Sequence, residues 1–399
     1  MINKLYGDGI HDDYPAIQEM LDSPDSLVYL PEPEKNYVIS KTLLIGSNKE
    51  LRLDRYTRVV LADNANCMMI ENKNQNAGDV NITISGGIWD MNHKKQWQNP
   101  YHFPNPITGL TWYEECEKAG YTRDKKQFSP FYSGHCFRFN NIEHFTFKNI
   151  TIVNPVVYGL QMAYTTHFLI ENIDFDYTEG SPKLWNMDGI HIEGGCKHGL
   201  VRNLHGACHD DTVAITSDDC LYGEISDITV DGIYADGCHS AVRLLSADLP
   251  VKNIHITNIY GTYYVYCVTL SNYYYFEGKK GHYDHITIDN IYASFCEGTV
   301  DVAGNYCALI PIDREVEVGD LLITNVYRDE TRCNQPTFCL NAGSIIHKLT
   351  IKNCTQNNLT GNNMNFFDNY GDIDKLLIKN IDCGKDKKIL NNGTILLDE

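Results

Sequence analysis

Along most of this chain apolar and polar residues alternate, and the alternation breaks at one polar position, usually Asn, before it resumes. Nine segments share the pattern. They begin with Phe145-Thr146-Phe147-Lys148-Asn149-Ile150, Phe168-Leu169-Ile170-Glu171-Asn172-Ile173 and Leu200-Val201-Arg202-Asn203-Leu204. They continue with Ile228-Thr229-Val230-Asp231-Gly232-Ile233, Ile254-His255-Ile256-Thr257-Asn258-Ile259 and Ile286-Thr287-Ile288-Asp289-Asn290-Ile291. The last three centre on Asn325, Asn353 and Asn380. The aligned positions lie 23 to 35 residues apart. A period of two within each segment predicts strands, and recurrence at the longer interval predicts a solenoid that adds one coil per repeat. Asn suits a stacked turn, because it tolerates left-handed backbone angles and its amide can bond to the Asn of the next coil. The expectation is an all-β chain, a single parallel β-helix domain over residues 1–399.

An earlier coil is visible at Val80-Asn81-Ile82-Thr83-Ile84-Ser85-Gly86-Gly87. Residues 94–134 interrupt the period and are rich in aromatics: Trp97, Tyr101, Phe103, Trp112, Tyr113, Tyr121, Phe128, Phe131 and Tyr132. A long insertion in a solenoid usually maps to one face, often the binding face, and a subunit contact is the other reading. Residues 1–25 read as an N-terminal cap. Asp8-Gly9-Ile10-His11-Asp12-Asp13-Tyr14-Pro15-Ala16-Ile17-Gln18 leads into a short amphipathic helix, with Asp12 or Asp13 as N-cap and Pro15 in the first turn. Such a helix would cover strand edges that the open end of a solenoid exposes.

Composition narrows the partners. Of 399 residues 43% are hydrophobic, enough for a full core, and the net charge of −19 argues against nucleic acid or an anionic membrane surface. A neutral carbohydrate is compatible with it. No run of transmembrane length and no apolar N-terminal leader is present, which predicts a cytoplasmic protein, or a secreted one if a signal was trimmed. The 14 Cys include no C-x-x-C pair, so neither a zinc knuckle nor a disulfide scaffold is expected and a reducing compartment is. The 26 Tyr suit either strands or stacking on sugars.

The candidate chemistry lies in Asn186-Met187-Asp188-Gly189-Ile190 and His209-Asp210-Asp211-Thr212-Val213-Ala214-Ile215. Three acidic residues fall just before two short apolar strands one repeat apart, which predicts that Asp188, Asp210 and Asp211 meet in space. Grouped carboxylates repel and separate their pKa values, as acid/base cleavage of a glycosidic bond requires. Asp at a strand start also simply bonds to turn amides. His191 alternates with Ile190 and Ile192, so it is expected to face outward beside Asp188, and His209 precedes Asp210; both are placed among sugar contacts. Asp218-Asp219 reads as a solvated or capping pair. No Asp-x-Asp-x-Asp-Gly loop supports calcium, and neither metal nor cofactor is expected.

These residues carry a resemblance. Gly7-Asp8-Gly9, Asp12-Asp13 and Ala16-Ile17-Gln18 resemble the N-terminal cap of the pectate-lyase-like superfamily of right-handed parallel β-helices, and Ser85-Gly86-Gly87-Ile88-Trp89-Asp90 resembles its early glycine-rich coil. Asn154-Pro155 through Leu160-Gln161, then Asn186-Met187-Asp188 and Asp210-Asp211, follow the order of polygalacturonases and their relatives. The resemblance implies Asp210 as general acid, Asp188 and Asp211 as the carboxylates that activate water, and inversion at the anomeric carbon; Gln161 falls among the substrate contacts. Gly237-Cys238-His239-Ser240-Ala241-Val242-Arg243-Leu244 takes the place of that family's Gly-His-Gly motif, so His239 would orient the acids, on one outer face with Arg243.

The sequence departs from the family one coil further. Val268-Thr269-Leu270-Ser271-Asn272 stands where the family has Arg-x-Lys, the pair that holds a uronic acid carboxylate. Plain polygalacturonate is therefore in doubt as substrate, and Arg243 is the candidate relocated cation. Tyr273 and Tyr275 follow at the edge of the same face, for stacking on sugar or for packing. Two rivals stay open: a lyase or sugar epimerase on the same fold, with Arg243 and Tyr273 in the base's place, and a non-catalytic glycan-binding fibre protein. A homo-oligomer is left open.

Overall fold

A computed structural model describes residues 4–121, 128–178, 186–298 and 308–398. The fold is a right-handed parallel β-helix with one N-terminal helix. Contacts divide the chain into two compact units, the first comprising residues 1–199 and 204–210, the second residues 200–203 and 211–399. Part of the 94–134 insertion, residues 122–127, lies outside the described residues.

Within each unit the strands stack in parallel and in register. In the first, Phe145 lies over Phe168, Phe147 over Ile170 and Ile150 over Ile173. In the second, a column runs through Ile228, Ile254, Ile286, Leu321, Leu349 and Leu376, all buried. The period-two pattern turns one such column inward on every coil, and the core is the stack of those columns.

The aligned asparagines are left-handed as expected. Asn149, Asn172, Asn203, Asn258, Asn290, Asn325, Asn353 and Asn380 have φ between 53° and 60°, and Gly232 takes the slot at 91°. Their amides form ladders: Asn172 donates to Asn149 at 2.9 Å, Asn290 to Asn258 at 2.5 Å and Asn380 to Asn353 at 3.0 Å. Where the preceding residue is acidic the ladder uses it instead, as in Asn325 donating to Asp289 at 2.7 Å. A second left-handed position holds His144, His167 and His198, whose exposed rings lie 5.0 and 5.1 Å apart, tilted by 34° and 33°.

The N-terminal helix spans Tyr14–Asp22 with Pro15 in its first turn. Asp13 does not cap it through its side chain. Its carboxylate is buried and accepts from the N–H groups of Tyr6, Gly7 and Val38, tying the leading segment to the first coil. Asp12 accepts from the Tyr14 N–H at 3.0 Å and from Ser40. Further along, the Gln18 amide donates to the Leu44 carbonyl and accepts from the Leu44 N–H, so it pairs with an edge strand as another strand would.

Asp218 is not solvated. It is buried, and its carboxylate accepts from the N–H groups of Ala247 and Leu249; burial raises its pKa above the ordinary value, and those N–H bonds oppose the rise. The thirteen cysteines among the described residues are free thiols, and burial pushes that of Cys196 up to about 12. Among the described residues no helix is long and apolar enough to cross a membrane.

Candidate functional site

In the first unit the strand Leu160–Ala163 lies between Phe137–Asn140 and Ile190–Glu193. Leu160 stacks with Phe137 and Ile190, which turns the alternate residues Arg138, Gln161 and His191 to the opposite face. That face is expected to be open and is not: Arg138, Gln161 and His191 are 5%, 2% and 0% exposed. The insertion supplies cover. Its helix, Trp112–Lys118, carries a capping box between Thr111 and Glu114, and the preceding Tyr101 packs edge-on against Trp112, His135 and Tyr158.

Asp188 sits at the turn before Ile190–Glu193. Its carbonyl accepts from Tyr177 Oη at 3.0 Å and from the Gly159 N–H at 2.9 Å, which fixes the backbone. A Cβ on Gly159 would lie 2.5 Å from Tyr177 Oη and 2.7 Å from the Gly189 carbonyl, so only glycine admits this approach. The Asp188 carboxylate meets His191 Nδ1 at 2.6 Å, and His191 Nε2 lies 3.8 Å from Glu193 Oε1. The His191 ring stacks on Tyr158 at 3.9 Å with 11° between planes, and Tyr158 stacks in turn on His135. His191 is thus a buried partner of Asp188, not an outward sugar contact. Gln161 donates to Asn140 at 3.3 Å from a buried position.

Asn186 explains the first residue of its motif. It is left-handed, φ 61°, and its N–H donates to Asp210 Oδ2 at 2.9 Å, bringing Asp210 to the turn that carries Asp188. His102 and Asn99 of the insertion approach the Asn186 side-chain oxygen at 3.0 and 3.4 Å. Asp210 is half-buried, and His209 Nε2 meets the Tyr177 carbonyl at 2.8 Å. His209 therefore bonds to backbone.

In the second unit Asp211 opens the strand Asp211–Thr216 and is 1% exposed. Register places Ser240 over Asp211 and Tyr266 over Ser240. Both hydroxyls donate to Asp211 Oδ1, Ser240 at 2.5 Å and Tyr266 at 2.7 Å. Arg243 Nε lies 2.7 Å from Asp211 Oδ2, and Arg243 Nη2 lies 3.9 Å from Asp219. Burial opposes the Arg243 charge; Asp211, Tyr273 and Asp219 outweigh it and hold the guanidinium pKa well above its usual value.

His239 falls where the register slips between Ala235 and Ser240. It is half-buried, with Nδ1 2.8 Å from Ser240 Oγ. Since Ser240 donates its proton to Asp211, His239 donates through Nδ1, and the imidazole reaches Asp211 through one hydroxyl. Tyr273 lies under the guanidinium of Arg243, 5.3 Å from ring centroid to the guanidinium carbon, and Tyr274 donates to Asp219 at 3.1 Å. Tyr275 stands apart on a one-turn helix, Tyr275–Glu277, against Phe276. Thr269 and Ser271 are buried and donate to the carbonyls of Pro311 and Leu244, so neither presents a hydroxyl outward.

Sequence reading missed Tyr158, Tyr177, Glu193, Ser240 and Tyr266. Ser240 and Tyr266 lie 29 and 55 residues from Asp211, and the register slip between Ala235 and Ser240 hides that alignment in the sequence. Away from these groups, Glu143, His144 and His167 bring exposed ligand atoms within 4.8 Å of one another, spacing that a divalent ion could use.

Residues 109–239 match the family described as glycosyl hydrolases family 28, a span that holds Asp188, Asp210, Asp211 and His239. This meets the polygalacturonase-type resemblance read between residues 154 and 245. No curated protein matches the chain. Solved structures similar to it include PfbA, a surface adhesin of Streptococcus pneumoniae, at 15% identity and a TM-score of 0.62, covering 96% of this chain and 91% of that one. The A-module of the mannuronan C-5 epimerase AlgE6 of Azotobacter vinelandii is similar at 13% identity and a TM-score of 0.60, covering 99% and 97%. The endo-xylogalacturonan hydrolase of Aspergillus tubingensis is similar at 15% identity and a TM-score of 0.56, covering 98% of each chain. At these identities the likeness carries the fold.

Proposed function

We propose that this protein is an inverting glycoside hydrolase acting on a pectin-like or other plant or bacterial glycan. The observation that carries the reading is the family-28 match, because it spans all three aspartates together with His239. Asp210 is the general acid. It protonates the glycosidic oxygen as the bond to the anomeric carbon breaks, and a water deprotonated by Asp188 and Asp211 attacks the opposite face. Two features support the division of roles. Asp210 is only half-buried, whereas Asp211 is buried and enclosed by a guanidinium and two hydroxyls, which leaves Asp210 the more open of the two to a leaving oxygen.

Plain polygalacturonate is not the proposed substrate, since Thr269 and Ser271 stand where the resemblance calls for cations and Arg243 is already paired with Asp211. The insertion touches the Asn186 turn through His102 and Asn99, which supports a substrate path closed on that side and release of short products from a chain end. A permanently charged, ion-paired Arg243 is a poor base, so a lyase built on Arg243 is disfavoured.

The test incubates wild type and Asp210→Asn with neutral and acidic plant oligosaccharides and follows new reducing ends and the absorbance of unsaturated products. New reducing ends from wild type alone, without absorbance, are expected. Activity that survives in Asp210→Asn removes the acid assignment, and an absorbing product replaces hydrolysis with elimination. The adhesin likeness keeps a second reading in view, a non-catalytic glycan binder, for which no new reducing ends form on any glycan.

A further inference from the structure

Four tyrosines of the second unit form a continuous stack on the outer face of successive coils. Tyr234 lies on Tyr260 at 5.2 Å and 4°, Tyr260 on Tyr292 at 5.3 Å and 10°, and Tyr292 on Tyr327 at 4.7 Å and 14°. All four hold equivalent register positions. At the next coil the position passes to Thr355. A threonine is too short to cover a whole phenol ring, so the run of stacked rings ends at Tyr327.

A surface cavity of about 590 Å³ opens at that end of the stack, lined by Tyr327, Asn353, Thr355, Asn380, Asp382 and Lys388. Asn380 donates to Asn353 at 3.0 Å, which fixes the orientation of both amides. The cavity's aromatic lining is Tyr327, the last of four stacked rings. Around it stand two amides, a hydroxyl, a carboxylate and an ammonium, so donors and acceptors are both present.

We propose that this cavity is a second carbohydrate-binding site, seating one pyranose ring of a glycan flat on Tyr327. A pyranose has an apolar face of C–H groups and a rim of hydroxyls, and this cavity offers the matching pair of surfaces. Its volume falls within the range of small-molecule sites, about 300–1,000 Å³. A purely apolar ligand would meet Tyr327, Cys354 and Ile381 but would leave the two amides, the carboxylate and the ammonium unmatched. The acidic chain disfavours nucleic acid. The cavity shares no lining residue with the group around Asp211, so its role is to hold polymer, not to act on the bond. The proposal rests on the glycan reading of the protein only for the class of polymer.

The test is affinity electrophoresis of the full chain through gels containing polygalacturonate, xylan, arabinogalactan or β-glucan, with Asp210→Asn, Tyr327→Ala and Thr355→Tyr run alongside. Wild type and Asp210→Asn are expected to be retarded equally by at least one polymer. Tyr327→Ala should bind that polymer about tenfold more weakly, as loss of one aromatic stacking partner does. Thr355→Tyr extends the ladder by one ring and should lose retardation with the stack intact. Turnover of short oligosaccharides should be unchanged in both. Equal retardation of all four proteins overturns the proposal, and so does the absence of retardation of wild type by every polymer. A protein that is retarded but hydrolyses nothing defeats the hydrolase reading and leaves the binding site standing.

Discussion

Arg243 Nε lies 2.7 Å from Asp211 Oδ2, and neither side chain is more than 10% exposed. The sequence resemblance offered no cation at this position. Its consequence is that a carboxylate read as catalytic is also half of a buried ion pair. Removing one partner of such a pair costs about 3–5 kcal/mol, because the other charge is left uncompensated. Arg243→Met is expected to lose stability on that scale in urea unfolding. Asp211→Leu combined with Arg243→Met should recover most of it while remaining inactive. A single variant within about 1 kcal/mol of wild type, the range of an exposed pair, would show that the pair is solvent-screened.

His191 is expected to act through Asp188 alone. It touches the carboxylate at 2.6 Å and is itself fully buried against Tyr158. His191→Phe keeps the stacking and removes the hydrogen bond. A carboxylate free to rotate out of line loses about 10²-fold in kcat, with KM little changed, since misplacement near 1 Å has that effect. Reducing-end kinetics read both constants, and a change confined to KM would return His191 to the substrate contacts.

Stability should fall on mild acidification through His135. Burial first, then the charges of Arg138 and His191, hold its pKa well below 6.5. Below about pH 6.5 the unfolded chain therefore takes up a proton that the folded chain refuses. The stability held above that pH is lost as pH falls, at up to about 1.4 kcal/mol per unit for one group. Its neutral ring is held by Tyr101 Oη at 2.8 Å and Ser133 Oγ at 3.2 Å. Unfolding midpoints of wild type and His135→Gln between pH 7 and 5 should diverge by that slope, and parallel curves would place the acid sensitivity elsewhere.

The asparagine ladder separates backbone strain from hydrogen bonding. Asn290 is left-handed at 53° and donates to both Asn258 and Tyr260. Asn290→Ala should lose about 1–2 kcal/mol for the left-handed backbone and about 1 kcal/mol for the amide. Asn290→Gly should recover the backbone part. Equal loss in the two variants would mean that the amide alone matters.

The turns were legible because a left-handed angle restricts residue type, and that restriction repeats in the sequence at every coil. The strands were legible for a similar reason, since inward columns such as Ile228, Ile254 and Ile286 recur at one phase. What stayed hidden depends on long-range placement. Alternation sends His191 and Gln161 away from the core, and nothing local says that the Tyr101 segment will pack over that face. Asp12 and Asp13 are adjacent and chemically alike, yet the fold bonds one near the helix start and buries the other under three N–H groups. Counting coil by coil fails at Ser240 because the register slips just before it.

The Gln18 amide, bonded both ways to Leu44, has a meaning for assembly. Every coil of this architecture is a template for another, and a bare terminal coil accepts any strand that reaches it, including one from another molecule. The helix Tyr14–Asp22 ends that propagation with a side chain whose amide mimics a peptide group. The same contact that orders the first coil occupies the backbone groups of Leu44 that an added strand would need.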